Sequence, residues 1–174
     1  MINYDGHALI LAVIEDFHAN GKAVYKHQIQ KVLYLLSIQG EVNVPFDFVL
    51  YRRGPYSFEV DAEIEQMLSY AAITRAASGA YGTTFIPGRN AAFVHEHARA
   101  FTPAEQHAIH RICQFAAEQT PLELDRVSAA GWLRAREQLR DDQGIASRLR
   151  SLKSHVSNDE ANTAAQSLAR LLPA

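Results

Sequence analysis

LYRRGPYSFEVDAEIEQML, residues Leu50 to Leu68, decides how the N-terminal half of this chain is read. Arg52 and Arg53 stand directly before Gly54-Pro55-Tyr56-Ser57. Beyond that break come Glu59, Asp61, Glu63 and Glu65, with no lysine or arginine up to Leu68. Proline drives the residue before it out of the α region, and glycine accepts the conformation that results. Ser57 suits an N-cap, and Glu59 falls in the first turn, where the helix dipole favours an anion. Val60, Ile64, Met67, Leu68 and Ala71 then form an apolar stripe at helical spacing. The stretch therefore reads as an elbow that opens a helix.

Upstream of the elbow, residues 46–51 (FDFVLY) are aromatic and β-branched, which predicts a short strand or an extended link. Before them, Tyr25, Ile29, Val32, Leu33 and Leu36 line one face of a helix expected over Lys26 to Gln39, with Gly40 to end it. Ile10, Val13, Ile14 and Phe17 predict another over 5–20, stopped by Asn20-Gly21. Downstream, residues 73–88 place two β-prone segments around a Ser-Gly-Ala-Tyr-Gly turn, the pattern of a hairpin. Residues 89–101 read as irregular. Helix, helix, extended link, helix, hairpin is close to the order of a winged helix-turn-helix domain.

Helical signals resume at Thr102-Pro103-Ala104-Glu105, a capping box with proline at the first helical position. The helix it opens is expected over 103–118. A further helix lies within Leu122 to Leu139, with Gly131-Trp132 as a soft spot, and the tail is helical over about 145–153 and 158–172. Asp141 to Gly144 is the best candidate boundary. The expected architecture is mainly α: a winged-helix-related module over 1–101 with a small β-hairpin, and a helical extension over 102–174 packing on it or completing a single domain.

Composition narrows the function classes. The chain has 174 residues, 48% of them apolar, a formal net charge of −2 and a sequence pI near 6.4. Nothing in that balance pulls the whole molecule toward nucleic acid or an anionic membrane. Cys113 is the only cysteine, which excludes an internal disulfide and a cysteine-based zinc site and fits a reducing cytoplasm. The N-terminus lacks the pattern of a signal peptide, and the longest apolar run, Ala8 to Ile14, is too short to span a bilayer. A soluble cytoplasmic protein with no membrane partner is expected.

Candidate chemistry is sparse. His95 and His97 at i, i+2 would share a strand face, and His107 and His110 at i, i+3 a helix face, but neither spacing matches a known tight metal site. Cys113 lies between apolar helical neighbours and reads as a core thiol. There is no G-x-S-x-G elbow, no Walker A loop and no G-x-G-x-x-G. Asp61 and Glu65, at i, i+4, read as mildly repelling surface acids. The sequence reading is a non-enzyme with no metal and no cofactor.

Two segments carry a resemblance. KHQIQKVLY (Lys26 to Tyr34) resembles the K-x-x-L-Q-K-hydrophobic-hydrophobic-Y helix of the Panacea/SocA-like antitoxin group. YRRGPYS (Tyr51 to Ser57) resembles the Y-x-x-G-P-Y-S elbow of related YwgA-like bacterial proteins. The two stand in the same order and at a similar separation, and the resemblance covers about residues 5–90. It implies a helical, winged-helix-related fold and an association with toxin neutralisation, proteolytic adaptors and phage-linked genes. It brings no catalytic residue. Where the Panacea pattern usually has Gly-Pro-Val, this chain has Gly-Pro-Tyr-Ser.

The charge partition then bears on partners. In a winged-helix reading, the helix after the elbow takes the recognition position, where a reader of DNA needs bases rather than acids. The acids of residues 55–72 argue against that use. The leading expectation is a regulator or adaptor working by protein–protein contact, antitoxin-like, with a toxin or protease system as partner. Its surface would comprise Arg52, Arg53, Tyr56, Phe58, Glu59 and Glu63. Tyr56 also reads as an anchor of the elbow in the core, and Phe58, off the apolar stripe, as the better contact residue. The alternative is a DNA-binding winged-helix transcriptional regulator using Lys22, Lys26, Lys31, Arg75 and Arg89. A second basic run, Arg134, Arg136, Arg140, Arg148, Arg150 and Lys153, reads as a solvated face or a phosphate-contacting one.

Overall fold

A computed structural model describes residues 1–173. Helix α1 (Tyr4–Ala19) starts at Asn3, whose side chain accepts from the Gly6 N–H at 2.9 Å. A short strand, β1 (Val24–Tyr25), leads into α2 (Lys26–Gln39), which Gly40 closes in the left-handed conformation at φ +85°. That position favours glycine because it has no Cβ to clash. The helix bounds agree with the sequence periodicity. Strand β1 was not foreseen, since a two-residue strand leaves no periodic signal.

The elbow is more structured than its sequence implies. The short strand expected within 46–51 is β2 (Val49–Tyr51), and Gly-Pro-Tyr is a second strand, β3 (Gly54–Tyr56), rather than a bend; the two form an antiparallel hairpin, with Tyr51 opposite Gly54 and Arg52-Arg53 as its two-residue turn. Pro55 is tolerated because a two-stranded ribbon has only edges, where a missing N–H costs no ladder bond. Ser57 then caps α3 (Phe58–Ser69), its hydroxyl accepting from the Val60 N–H at 3.3 Å.

Strands β4 (Ile73–Arg75) and β5 (Thr84–Pro87) form the expected hairpin. β5 also pairs with β1, giving a three-stranded antiparallel sheet in the order β1-β5-β4. Residues 89–101 are not wholly irregular: α4 (Ala91–His97) is a short helix, with buried Val94 as its one anchor. One buried apolar contact in seven residues gives too little periodicity to detect.

The remaining helices are α5 (Pro103–Ala117), α6 (Pro121–Arg136), α7 (Asp142–Leu152) and α8 (Asn158–Leu171). The capping box at Thr102 is present as expected, and Thr120 with Glu123 and Ser157 with Glu160 repeat it. Gly131 is no soft spot. It lies inside an unbroken α6, and a Cβ there would come within 2.7 Å of Ile38 Cδ1, so the glycine permits close approach of α6 to α2. Asp141 is the N-cap of α7 rather than linker, its carboxylate accepting from the Gly144 N–H at 2.6 Å.

The architecture is mainly α, with eight helices among the described residues. One apolar core runs through both halves of the chain: α5 packs on α1 and α2, and α6 packs on α2, β3 and α8. Tyr34 of α2 sits between Phe48 and Trp132, so Trp132 joins the two halves. Among the described residues no helix is long and apolar enough to cross a membrane.

Candidate functional site

Gln30 and Lys31 are neighbours in α2, and both are buried. Gln30 satisfies both main-chain groups of Ser57: its Nε2 donates to the Ser57 oxygen at 2.8 Å, and its Oε1 accepts from the Ser57 N–H at 2.9 Å. Lys31 donates to the Pro55 oxygen at 2.8 Å. The two sequence segments that carried the family resemblance thus touch directly, and α2 sets the pose of the hairpin.

Behind the hairpin lies Asp125 of α6, also buried. Its Oδ1 is 2.6 Å from His27 Nε2 and 3.7 Å from Lys31 Nζ. Burial pushes the Lys31 ammonium down to about 8, against the attraction of Asp125; Lys153 and Arg53 add repulsion. Low dielectric penalises the charged form, and one carboxylate shared with His27 does not fully offset it. His27 Nδ1 is buried without a hydrogen-bond partner. Gly54 closes this corner at φ +94°.

A hollow of about 310 Å³ opens here, lined by Lys26, His27, Gln30, Lys31, Tyr51, Arg52, Arg53, Gly54 and Tyr56. No acid is among these residues. A second hollow of about 330 Å³ shares His27 and Arg53 with it and reaches Lys22, Tyr25 and Tyr81.

Val49, Leu50 and Tyr51 of β2 are exposed, as is Phe58 at 61%, and Tyr51 also lines the hollow. The Tyr51, Tyr56 and Phe58 rings stand 5.1–5.8 Å apart, with Phe58 edge-on to both tyrosines. Arg52 and Arg53 are exposed and make no ion pair among the described residues.

The structure brings four of the six expected partner-contact residues, Arg52, Arg53, Tyr56 and Phe58, to one surface. Tyr56 is half-buried, and its hydroxyl donates to Asp61, which together with burial pushes the phenol well up. Glu59 lies on the same side but accepts from the Asp47 N–H at 2.7 Å, fixing the chain before β2. Glu63 faces the other way: it meets the fully buried His7, whose Nδ1 is 2.8 Å from the Tyr70 hydroxyl.

The residues expected to contact DNA do not form a free basic face. Lys31 is buried, Lys26 is 3.4 Å from Asp61, and Arg75 is 3.2 Å from Glu65. Acids and bases that looked segregated along the chain pair across it. Lys22 and Arg89 are exposed. In the second basic run, Arg134 donates to the Leu172 oxygen at 2.6 Å, Arg136 lies over the Trp132 ring and Arg148 pairs with Glu137.

His95 and His97 lie on α4, not on a strand, so i, i+2 puts them on different faces; His95 meets Glu15, and His97 bonds the Phe93 oxygen. His110 meets Asp16 at 2.7 Å. Among the described residues no group of three potential metal ligands converges. Cys113 is buried, and burial pushes its thiol up. Sequence reasoning missed Gln30, His27 and Asp125. The only local hint was two polar residues, Gln30 and Lys31, within the apolar run of α2.

No protein-family model matches the chain, and no curated protein matches it.

Proposed function

We propose that this chain is a non-enzymatic regulator or adaptor that holds a protein partner on the β2–β3 hairpin and the start of α3. The observation that supports it best is the exposed set Val49, Leu50, Tyr51 and Phe58 beside Arg52 and Arg53, which make no ion pair among the described residues. Large apolar side chains at the tip of a rigid hairpin, rimmed by arginine, have the composition of a protein interface centre. The charge selects a partner segment that presents acidic and apolar side chains.

The placement of β1 between α1 and α2, of β4 and β5 after α3, and the sheet order β1-β5-β4 support a winged-helix relation. The direct contact of Gln30 and Lys31 with Pro55 and Ser57 supports the Panacea/SocA-like resemblance, since it gives its two motifs one shared structural role. An antitoxin-like role in the cytoplasm, with a toxin or protease system as partner, follows from that resemblance. DNA binding is the second reading and has less support, because Lys26, Lys31 and Arg75 are engaged within the chain and α3 carries the acids.

The test is capture of a partner by tagged protein from its own cells, with nuclease present, compared across variants. A stoichiometric protein retained by wild type, and lost with both Phe58→Asp and Arg52→Glu/Arg53→Glu, supports the reading. Retention by both variants sinks it, as does recovery of nucleic acid in place of protein.

A further inference from the structure

The hollow behind the hairpin has a chemistry of its own. Lys26, Lys31, Arg52 and Arg53 line it with His27, and no carboxylate stands among the lining residues. Lys153, at the end of α7, adds a repulsive charge felt by Lys31. Two carboxylates stand behind the wall: Asp125, 2.6 Å from His27 and 3.7 Å from Lys31, and Asp61, 3.4 Å from Lys26; Arg52 and Arg53 are left without an acid among the described residues. Such a cluster would cost free energy if left without a counter-ion, because like charges in a partly desolvated pocket repel.

Further features point to a ligand rather than to a scaffold. Arg52 and Arg53 have no acidic partner among the described residues, although each guanidinium presents a planar fork of donors suited to phosphate. Gly54 leaves the floor without a side chain, and its missing Cβ would stand 3.6 Å from Lys31 Nζ. The volume of about 310 Å³ is that of a small-molecule site, well beyond a single inorganic ion. Tyr51 and Tyr56, with ring centroids 5.7 Å apart, supply an aromatic wall.

We propose that this hollow, between α2 and the β2–β3 turn, binds a phosphate monoester, with the guanidinium groups of Arg52 and Arg53 on the phosphate, Lys26 and Lys31 adding positive charge to the wall, and Tyr51 and Tyr56 against the group that carries it. A dianion fits this cluster better than a carboxylate does, since it offsets two of the positive charges at once. The lowered titration of Lys31 agrees with an amine whose surroundings lack such an anion. The phosphate belongs to a free small molecule or to a phosphorylated side chain of a partner. The site shares Arg52 and Arg53 with the proposed partner surface, whereas Phe58 belongs to that surface alone.

Calorimetric titration of the full chain with phenyl phosphate at low salt tests the shared chemistry, with benzoate as the carboxylate control. Saturable one-to-one binding is expected, at least tenfold tighter than benzoate. Arg52→Ala/Arg53→Ala, both exposed positions that should not disturb folding, is expected to weaken it at least tenfold. Phe58→Ala, which lines no part of the hollow, should leave it within twofold while impairing partner capture, so the two readings fail separately. AMP and a short phosphotyrosine peptide then distinguish the sources: tighter binding of AMP assigns the site to a metabolite, and tighter binding of the peptide to a modified protein. Phenyl phosphate that does not saturate, that binds no better than benzoate, or whose affinity the double arginine variant leaves within twofold overturns the proposal.

Discussion

The Lys31 ammonium donates to the Pro55 main-chain oxygen at 2.8 Å, across 24 residues of sequence. With Gln30 on Ser57, it makes α2 the template on which the hairpin is set. Everything placed on that hairpin, inside or out, inherits its geometry from these two side chains.

Gln30→Leu should therefore be costly. It removes an amide that serves both the donor and the acceptor of Ser57 in a buried setting, and leucine can serve neither. Two unmade bonds to buried main chain predict a loss of about 2–4 kcal/mol, read as a lower denaturant midpoint. Gln30→Glu keeps the acceptor and loses the donor, and should fall between. A Gln30→Leu midpoint equal to wild type would contradict the role assigned to Gln30.

Stability should rise with pH through the titration of Lys31. An unfolded lysine titrates near 10.5 and the buried one near 8. Between those values the unfolded chain binds the proton and the folded chain has released it, so raising the pH favours folding. Burial also pushes the phenols of Tyr34, Tyr56 and Tyr70 up, Tyr70 to about 12. Those groups reverse the slope once free tyrosine starts to ionise, near pH 10. Cys113, whose thiol burial also pushes up, opposes the rise once a free thiol starts to ionise near pH 8.5, so the Lys31 contribution, up to about 2 kcal/mol between roughly pH 8 and 9.5, is read in a Cys113→Ala background. Urea unfolding of Cys113→Ala across that window should show the rise, and adding Lys31→Met should remove it.

His7 ties α1 to α3 through Glu63 and Tyr70. His7→Leu leaves a half-buried carboxylate facing an apolar side chain, and a loss of about 2–4 kcal/mol is expected. Adding Glu63→Leu should restore at least about 1 kcal/mol, because removing both partners costs less than orphaning one. An additive double mutant would show that the pair is not coupled.

Gly54→Ala should lose about 1–2 kcal/mol through its backbone alone. The added Cβ would make ordinary contacts, 3.4 Å from the Asp125 oxygen and from Ser128 Oγ, but φ is +94°. Gly131→Ala meets the opposite situation: an ordinary helical backbone, and a 2.7 Å approach to the mobile end of Ile38. The helix-propensity gain of about 1 kcal/mol offsets much of that crowding. Thermal melting of the two variants should rank Gly54→Ala as the less stable.

Glu105 should titrate near 2, chiefly because the Arg99 guanidinium grips it bidentately and then because the Thr102 N–H does. Its folded value is depressed, so the stabilisation it gives is present above the free carboxylate range and fades as pH falls toward 2. In Arg99→Ala, carboxyl NMR should show the Glu105 titration moving upward.

The sequence by itself determined the elements whose causes are local. The 3.6-residue periodicity and Gly40 bounded α2; Ser57 and the Thr102 box started α3 and α5; the two β-prone runs around residues 78–82 made a hairpin. Each of these signals acts within a few residues, through a cap, a dihedral preference or one apolar face. Phe58 was legible as exposed for the same reason, because it falls off the stripe of its own helix.

Only the tertiary structure decided which charges are free. Lys31 reads as a surface base along the chain, and it is buried because α6 brings Asp125 over it; His27 meets that same carboxylate from 98 residues away. Lys26 and Arg75 keep exposed side chains but gain acidic partners, Asp61 and Glu65, and Glu63 is turned to His7. A charge has no periodic preference that reveals its partner: its burial is set by which helix packs against it, and that is decided by the sum of apolar contacts across the whole core. Arg52 and Arg53, in the two-residue turn, make no ion pair among the described residues, and the hollow beside them exists because α2 and the hairpin meet.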